Sequence, residues 1–188
     1  VEEINYLKKE IEKKLKQKKK MEILIDLKEW IEKKFIILIE GIEKKVMIRL
    51  NLEFNELFKG WFSKLVNNEA IDASIDIDFT PTIVRNGYDS NYESLSGGEK
   101  TALALAYRLA LNQVINSTLS NLVTKDLLIL DEPTDGFSEQ QLDRVGEILS
   151  DLKVKQLIVV SHKPKIEGFV NKIIKIKKEN HLSRGLLL

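Results

Sequence analysis

LLILDEPT, residues 127–134, joins four apolar residues to two acids, a proline and a threonine. An apolar run without alternation predicts a strand that is buried on both faces, as in parallel sheets. A second apolar run, QLIVV, occupies residues 156–160, and the segment between them has one apolar side: Leu142, Val145, Leu149 and Leu152. Strand, helix and strand at these lengths predict a βαβ unit with a right-handed crossover. We therefore expect an α/β fold with a parallel sheet and flanking helices.

Two acids, Asp131 and Glu132, follow the first apolar run, at the carboxyl edge where α/β proteins place their sites. We expect Asp131 to hold Mg²⁺ through a water, and Glu132 to polarise a water for attack on a γ-phosphate. His162 ends VVSH, residues 159–162, and should lie beside Glu132, because parallel neighbouring strands end at the same edge. Acids also end many buried strands for structural reasons, and Asp-Glu alone would favour that interpretation.

A second motif, LSGGEK at residues 95–100, precedes the long apolar stretch TALALAYRLAL. Because both motifs occur in this order, about 35 residues apart, a functional role of Asp131 and Glu132 becomes the favoured interpretation. Ser96 and Glu99 have the spacing of a capping box, which explains both residues without a ligand. Each glycine costs up to about 1 kcal/mol relative to alanine in a helix. We attribute Gly97 and Gly98 to access, since an anion can approach the N–H groups at the positive helix end when no Cβ is present. A phosphate is the expected guest.

Arg108 lies within ALALAYRLALNQ, on a predicted helix that is apolar nearly all round. An unpaired charge in such surroundings would be strongly destabilising. We therefore expect a carboxylate or a group of carbonyls to meet Arg108. A satisfied core pair and a functional role remain equal alternatives.

Before the LSGGEK motif, the sequence predicts a small antiparallel sheet. IDASIDIDF, residues 71–79, alternates apolar and polar residues as a half-buried strand does. Pro81 follows, and Asn86-Gly87 is a strong signal for a two-residue hairpin turn. The final stretch, residues 171–188, predicts two edge strands around a turn near Glu179-Asn180. His181, near that turn, has no support as a functional residue.

The N-terminal segment predicts one helix of a coiled coil. Ile4, Leu7 and Ile11 follow a spacing of three and then four residues, and Met21 and Ile25 resume it. Such a strip needs a partner helix. From Met21 to Ile42 the apolar content exceeds one helix face, so two neighbours are expected: the partner coil, and either the globular body or a separate protein. We expect Gly41 or Gly60 to break the helix, and we place the domain boundary between residues 1–66 and 67–188.

Charge and composition limit the remaining classes. The net charge is only +1, but residues 1–50 hold 14 Lys and Arg against 10 acids, and KKLKQKKK, residues 13–20, holds six of the lysines. Such a run can contact nucleic acid, although a solvated helix surface is the preferred interpretation. The absence of cysteine excludes disulfides and thiolate metal sites. Short apolar runs and the lack of a basic-then-apolar leader predict a cytoplasmic protein without membrane contact.

These motifs together resemble a known family. LSGGEK resembles the ABC signature, LLILDEP the Walker B motif and VVSH the switch histidine, and with TDGFS they cover residues 95–162. ATPases of this type dimerise head to tail, and the signature of one subunit closes on ATP held by the Walker A loop of the other. The resemblance implies that Ser96, Gly97 and Gly98 reach a γ-phosphate in trans. It also implies ATP and Mg²⁺ as cofactors and adds Glu99 and Lys100 to the nucleotide-binding set.

No GxxxxGK[ST] occurs in the sequence, so the phosphate-cradling loop is expected from an N-terminal lobe. This arrangement resembles the ABC-type coiled-coil ATPases of double-strand-break repair, the Rad50/SbcC family. Cohesin- and condensin-type proteins typically have DEVDAALD at the end of the Walker B motif, whereas residues 131–138 of this chain are DEPTDGFS, which is closer to the repair family. The implied partners are the N-terminal lobe, a second ATPase head, duplex DNA and a repair nuclease docked on residues 21–66. A DNA-associated protein of an archaeal cell is expected. A chromosome-organising SMC-type head is the alternative.

The chain departs from the family in the loop after Walker B. That loop usually ends Leu-Asp, whereas here it ends Phe137-Ser138. Ser138 and Gln141 keep the spacing of a capping box, so the helix should still begin there. The carboxylate normally offered across the dimer is lost unless Asp135 supplies it, which makes Asp135 and Ser138 the candidates in this loop. The family also implies that a basic residue at the place of Arg108 couples ATP binding to lobe rotation.

Overall fold

The computed structural model describes residues 1–118, 127–152, 154–179 and 182–187. The chain divides into two compact units, Val1–Arg49 and Leu50–Leu188. Within the described ranges, no helix is both long and apolar enough to cross a bilayer.

The first unit is helical throughout. Helix α1 spans Glu2–Trp30, a π-helical turn occupies Ile31–Phe35, and helix α2 spans Ile36–Val66 and continues into the second unit. The predicted break at Gly41 or Gly60 is wrong. Both glycines lie inside α2, where a single glycine costs only about 1 kcal/mol and is tolerated. The irregularity falls instead at the π-helical turn, whose flanking rings, Trp30 and Phe35, stack with centroids 5.7 Å apart.

The apolar side chains of the first unit are exposed, from 38% for Ile31 to 67% for Ile23 over residues 21–48. None of the residues of α1 or of the π-helical turn is buried. A soluble helix does not normally leave such a strip uncovered, so the strip marks an interaction surface. The partner helix expected from the sequence remains a prediction.

The end of α2 belongs to the core of the second unit. Five residues at helical spacing are at most 8% exposed: Phe54, Phe58, Trp61, Phe62 and Leu65. The Phe54 ring meets Tyr107 edge-on at 4.9 Å, and Trp61 Nε1 donates to Gln113 Oε1 at 2.8 Å. The compact units therefore meet at residues 49 and 50, whereas the predicted boundary lies between 66 and 67. The sequence does not place residues 50–66 in one unit or the other, because an amphipathic helix has the same apolar periodicity when it packs against a coil and when it packs against a lobe.

The last turn of α2 is held by Arg144. Its Nη1 donates to the carbonyl of Leu65 at 3.2 Å and to that of Val66 at 3.0 Å. The final carbonyls of a helix have no partners within the helix, and a cation suits the negative end of its dipole. Arg144 thus fixes the point where the long helix ends.

The antiparallel sheet forms as predicted, with strands β1 (Ile71–Ile75), β2 (Pro81–Arg85) and β3 (Tyr88–Ser90) in that order. Asn86 and Gly87 turn the β2–β3 hairpin with φ of 52° and 83°. The predicted extension of the first strand to residue 79 is wrong. The Asp76 carboxylate accepts the N–H groups of Asp78 and Thr80 at 2.9 and 2.8 Å, and this turn ends the strand.

The predicted strand–helix–strand unit is present. Helix α3 spans Gly97–Thr118, strand β4 Leu127–Asp131, helix α4 Glu139–Asp151 and strand β5 Gln156–Val160. β4 and β5 are parallel, with Leu130 opposite Val159. Strands β6 (Ile174–Glu179) and β7 (Leu182–Leu187) form the predicted C-terminal hairpin. Asn180 and His181 lie outside the described residues.

The prediction that LLIL is buried on both faces is wrong for this chain. Leu128 and Leu130 are 7% and 1% exposed, whereas Ile129 is 58% exposed. Ile158 and Val160 of β5 are exposed as well. Helices of this chain cover one face of the β4–β5 pair, and no described element covers the other.

Candidate nucleotide site

The start of α3 carries the predicted capping box. The Glu99 N–H donates to Ser96 Oγ at 3.3 Å, and the Ser96 N–H donates to Glu99 Oε2 at 2.8 Å. Arg85, at the end of β2, also donates from Nη2 to Glu99 Oε2 at 3.0 Å. Sequence reasoning missed Arg85, and the only available signal was a basic residue beside the Asn-Gly turn.

The charge of Glu99 is secured by this arrangement. Burial by itself raises the pKa of Glu99, but the hydrogen bonds from Ser96 and the adjacent Arg85 guanidinium outweigh it. The pKa of the carboxyl group therefore lies below its ordinary value. An ionised Glu99 at the positive end of α3 keeps the first turn ordered.

The two glycines of the signature serve different purposes. A Cβ on Gly97 would meet nothing within 4 Å, so this position is open to an approaching ligand. A Cβ on Gly98 would lie 2.7 Å from Gln141 Oε1 and 3.2 Å from the Gly136 carbonyl oxygen. The absence of a Cβ therefore leaves open space at Gly97, whereas at Gly98 it also permits close packing against the neighbouring loop and the start of α4. That an anion approaches either glycine remains a prediction.

The loop that follows Walker B packs against α3. Gly136 has a left-handed backbone, with φ of 78°, and Phe137 is buried at 7% exposure. Ser138 and Gln141 form the predicted capping box of α4, with bonds of 3.3 and 3.0 Å. Thr101 Oγ1 donates to the Asp135 carbonyl oxygen at 2.7 Å. Asp135 is exposed, whereas the Ser138 hydroxyl accepts the hydrogen bond from the Gln141 N–H in the cap of α4.

The structure brings Glu132 and His162 together. The Glu132 N–H donates to the Val160 carbonyl at 2.9 Å, which joins the ends of β4 and β5. His162 Nδ1 lies 3.0 Å from Glu132 Oε2, and the two side chains are 63% and 40% exposed. Glu132 has a left-handed backbone, with φ of 42°, which is strained for a residue other than glycine. The juxtaposition expected from parallel strand ends is therefore present.

A cleft of about 230 Å³ lies between α3 and the end of β4. It is lined by Tyr92, Lys100, Thr101, Ala104, Leu105, Arg108, Asp131, Glu132 and Pro133. Lys100 Nζ is 3.4 Å from Glu93 Oε2 and 5.2 Å from the centroid of the Tyr92 ring, so its charge already has neighbours.

The expectation of a buried pair at Arg108 is wrong. Arg108 is exposed and lines the cleft, because α3 buries the neighbouring Leu105 and Leu109 instead. Within the described ranges no hydrogen bond or ion pair to Arg108 is formed. The guanidinium therefore needs no partner for stability, and it is available to a group that enters the cleft.

The residues at the carboxyl edge of β4 suit a magnesium ion that takes some of its ligands from a bound substrate. Asp131 is exposed at the end of β4. No three His, Cys, Asp or Glu side chains are grouped as a complete metal site in the part of the chain that is described. Mg²⁺ usually takes one or two carboxylates together with phosphate oxygens and waters. A single exposed aspartate next to the expected phosphate position fits that requirement.

The segment that follows β4 also contains a buried hydroxyl group. Thr134 is fully buried, and its Oγ1 has no hydrogen-bond partner among the described residues. Thr134, Thr101 and Arg85 are the site's polar residues that sequence reasoning missed, because their roles depend on contacts between distant segments.

Comparison with known proteins agrees with the motifs. A family model described as SbcC/RAD50-like, Walker B motif, matches residues 70–151. The DNA double-strand break repair Rad50 ATPase of Thermoplasma acidophilum is 40% identical over 112 residues, and that of Thermococcus kodakarensis is 38% identical over 103 residues. These matches cover 57% and 54% of this chain but only 12% and 11% of the relatives.

A solved Smc head domain with a coiled coil and joint, from Pyrococcus yayanosii, is similar in fold. It has a TM-score of 0.67 at 24% identity and covers 93% of this chain and 34% of its own. The chain therefore shares the fold of an Smc head domain with its coiled coil. The resemblance inferred from the motifs is confirmed: residues 70–151 match the SbcC/RAD50-like Walker B family model.

Proposed function

We propose that this chain is the C-terminal half of a DNA double-strand-break repair ATPase, with an ATP site completed by an N-terminal Walker A lobe. The contact of 3.0 Å between Glu132 and His162 carries the proposal. It sets a carboxylate and an imidazole side by side at the carboxyl edge of a parallel sheet, next to Asp131 and facing open space. A purely structural pair would gain little from such exposure.

In the proposed mechanism Glu132 is the general base. Its carboxylate orients a water for attack on the γ-phosphate and accepts the proton. His162 would hold that carboxylate by donating from Nδ1, and in the doubly protonated imidazolium form its Nε2–H would also donate to a γ-phosphate oxygen. Glu132 has a left-handed backbone at the end of β4, and the residue lines the cleft. Asp131 would hold Mg²⁺, which when bound neutralises phosphate charge and aligns the leaving group.

The signature is proposed to act on the ATP of a second head. The open backbone at Gly97 and the Ser96 hydroxyl would approach a γ-phosphate, as helix N-termini do in other anion sites. Glu99 would keep this turn ordered, while Lys100 and Arg108 would supply positive charge from the adjoining cleft. In the loop after Walker B, Asp135 offers an exposed carboxylate across the dimer, and Ser138 fixes the loop through its cap.

ATP-driven dimerisation of two heads is proposed to clamp duplex DNA. Lysines 13, 14, 16, 18, 19 and 20 lie on exposed residues of α1 and can contact phosphates without reading sequence. The exposed apolar residues of the first unit are proposed to bind the partner coil and a repair nuclease. The C-terminal part of the proposed nuclease-docking range, residues 21–66, is not available to a partner. Five of its residues lie in the core of the chain itself: Phe54, Phe58, Trp61, Phe62 and Leu65.

The competing proposal is a chromosome-organising SMC-type head. The fold resemblance to an Smc head keeps it in view, although that likeness concerns architecture. The family model and the Rad50 relatives favour repair. A pull-down that recovers a nuclease, rather than a kleisin-type subunit, from the full complex would separate the two functions.

The central experiment is reconstitution. The chain alone is expected neither to bind nor to hydrolyse ATP, and addition of the Walker A lobe should restore both. Filter binding and phosphate release measure the two steps. Appreciable turnover by the isolated chain would contradict the shared-site proposal, and so would a reconstituted pair of lobes that binds no ATP.

Arg108→Glu tests the functional role of that residue. Because Arg108 is exposed, the substitution should leave the free energy of unfolding within about 0.5 kcal/mol of wild type. ATP-driven dimerisation of the reconstituted heads, followed by light scattering, should fall clearly. Equal damage to folding and to dimerisation would end the coupling interpretation.

A further inference from the structure

The first turn of α3 and the loop after Walker B are joined by one side-chain hydrogen bond. Thr101 Oγ1 donates to the Asp135 carbonyl at 2.7 Å, across 34 residues of sequence. A threonine inside a helix usually bonds a carbonyl of its own preceding turn or faces solvent. Thr101 instead reaches another element, so its hydroxyl has a task outside its helix.

The loop has few other bonds to fix its shape. Its internal backbone bonds are long: Asp135 N–H to the Glu132 carbonyl at 3.4 Å, and Phe137 N–H to the Thr134 carbonyl at 3.2 Å. Glu132 and Gly136 both have positive φ, with values of 42° and 78°. The Thr101 bond is shorter than either internal bond, and it holds the loop at its middle.

Close packing limits the directions in which the loop can move. A Cβ on Gly136 would lie 3.5 Å from the Gly97 carbonyl carbon and 3.7 Å from Thr101 Oγ1. A Cβ on Gly98 would lie 3.2 Å from the Gly136 carbonyl oxygen. The backbones of the two segments already lie close together, so the loop cannot move nearer to α3. Loss of the hydroxyl would instead let the loop slide along α3.

We propose that Thr101 is a positioning residue for hydrolysis, an inference that rests on the proposed ATPase function. Through the Asp135 carbonyl it fixes the loop that begins with Glu132 against the turn that carries Ser96 and Gly97. Thr101 therefore sets where the base stands relative to the signature of the same lobe. Its hydroxyl is committed to the loop, so its loss should lower turnover and leave ATP affinity nearly unchanged.

The test uses the full ATPase, with this chain and its Walker A lobe together. Thr101→Val removes the hydroxyl at constant shape, and Thr101→Ser keeps it. Thr118→Val makes the same change at an exposed position at the end of α3 and is the matched control. For each variant, kcat and KM for ATP are measured separately, and hydrogen exchange is followed in peptides that cover residues 132–138.

Thr101→Val should lower kcat about five- to tenfold, the effect of one lost hydrogen bond, with KM changed less than about twofold. Exchange in the loop should quicken, Thr101→Ser should recover most of the turnover, and Thr118→Val should match wild type. Wild-type turnover by Thr101→Val, or equal loss in the serine variant, would overturn the role of the hydroxyl. If Thr101→Val does not fold, the serine variant decides alone: normal turnover supports the proposal and reduced turnover refutes it. An inactive wild-type pair of lobes would instead refute the ATPase function itself.

Discussion

The start of α3 and the carboxyl edge of β4 and β5 contribute to the proposed ATPase in different ways. The α3 side offers backbone N–H groups, and its side chains, Ser96 and Glu99, serve mainly to order them. The sheet edge offers exposed titratable side chains, Glu132 and His162. A substitution at the edge should therefore change chemistry without changing stability, whereas one on the α3 side should change stability, ligand access or both.

Glu132→Gln should give the largest effect. Loss of the proposed base should lower phosphate release by the reconstituted ATPase at least about 100-fold, because general-base catalysis typically contributes that much. The variant should also trap the ATP-bound dimer, which size-exclusion chromatography detects. Glu147→Gln, at an exposed position on α4, is the control and should turn over normally. Normal hydrolysis by Glu132→Gln would remove this residue from the role of base.

Gly98→Ala should show the structural character of the α3 side. The new Cβ would displace the Gln141 side chain from its cap on Ser138 and press on the Gly136 carbonyl. We expect a loss of about 1–2 kcal/mol in the free energy of unfolding, measured by urea denaturation. A variant as stable as wild type would mean that the loop accommodates the methyl group at no cost.

Gly97→Ala should separate access from packing. Its Cβ meets nothing in this chain, so stability should stay constant or rise by up to about 1 kcal/mol. Turnover of the reconstituted ATPase should nevertheless fall about tenfold if a phosphate approaches this backbone, because one transition-state contact of about 1.4 kcal/mol is lost. Unimpaired turnover in this variant would place the bound anion elsewhere.

The smallest effect concerns the pH dependence of Glu99. Because the pKa of Glu99 is lowered in the folded chain, its ionised form stabilises the fold above its ordinary pKa of about 4.5, and this contribution disappears as the pH falls through the lower folded value. Glu99→Gln should therefore be less stable than wild type at pH 7, by less than about 1 kcal/mol because Arg85 is partly exposed. Denaturation at pH 7 and pH 3 should show the difference shrinking in acid. A constant difference would exclude ionisation as its source.

The sequence allowed those parts of the fold to be predicted that depend on local pattern. The βαβ unit, the Asn86-Gly87 hairpin and both capping boxes follow from spacing within one segment. The pattern of residues 71–79 misled because alternation does not reveal that Asp76 binds the backbone and ends the strand. The exposure of Arg108 was missed because helix α3 is apolar overall, and only the neighbouring elements decide which of its faces is covered.

The candidate site divides along the same line. Glu132 and His162 could be paired from sequence, since parallel strands must end together. Arg85 on Glu99 and Thr101 on Asp135 could not, because each joins segments whose relative placement is set by core packing. The different reasons for Gly97 and Gly98 were likewise invisible, because adjacent glycines look alike until their surroundings are known.

The clasp of Arg144 on the Leu65 and Val66 carbonyls has a mechanical consequence. The last turn of an unsupported helix frays first, because its carbonyls lack partners. Here the Arg144 guanidinium ties that turn to α4, the helix that begins directly after the Walker B loop. A pull on the N-terminal part of α2 would load the core contacts of Phe54, Phe58 and Phe62 first and the Arg144 bonds last, because the last turn lies beyond them along the helix.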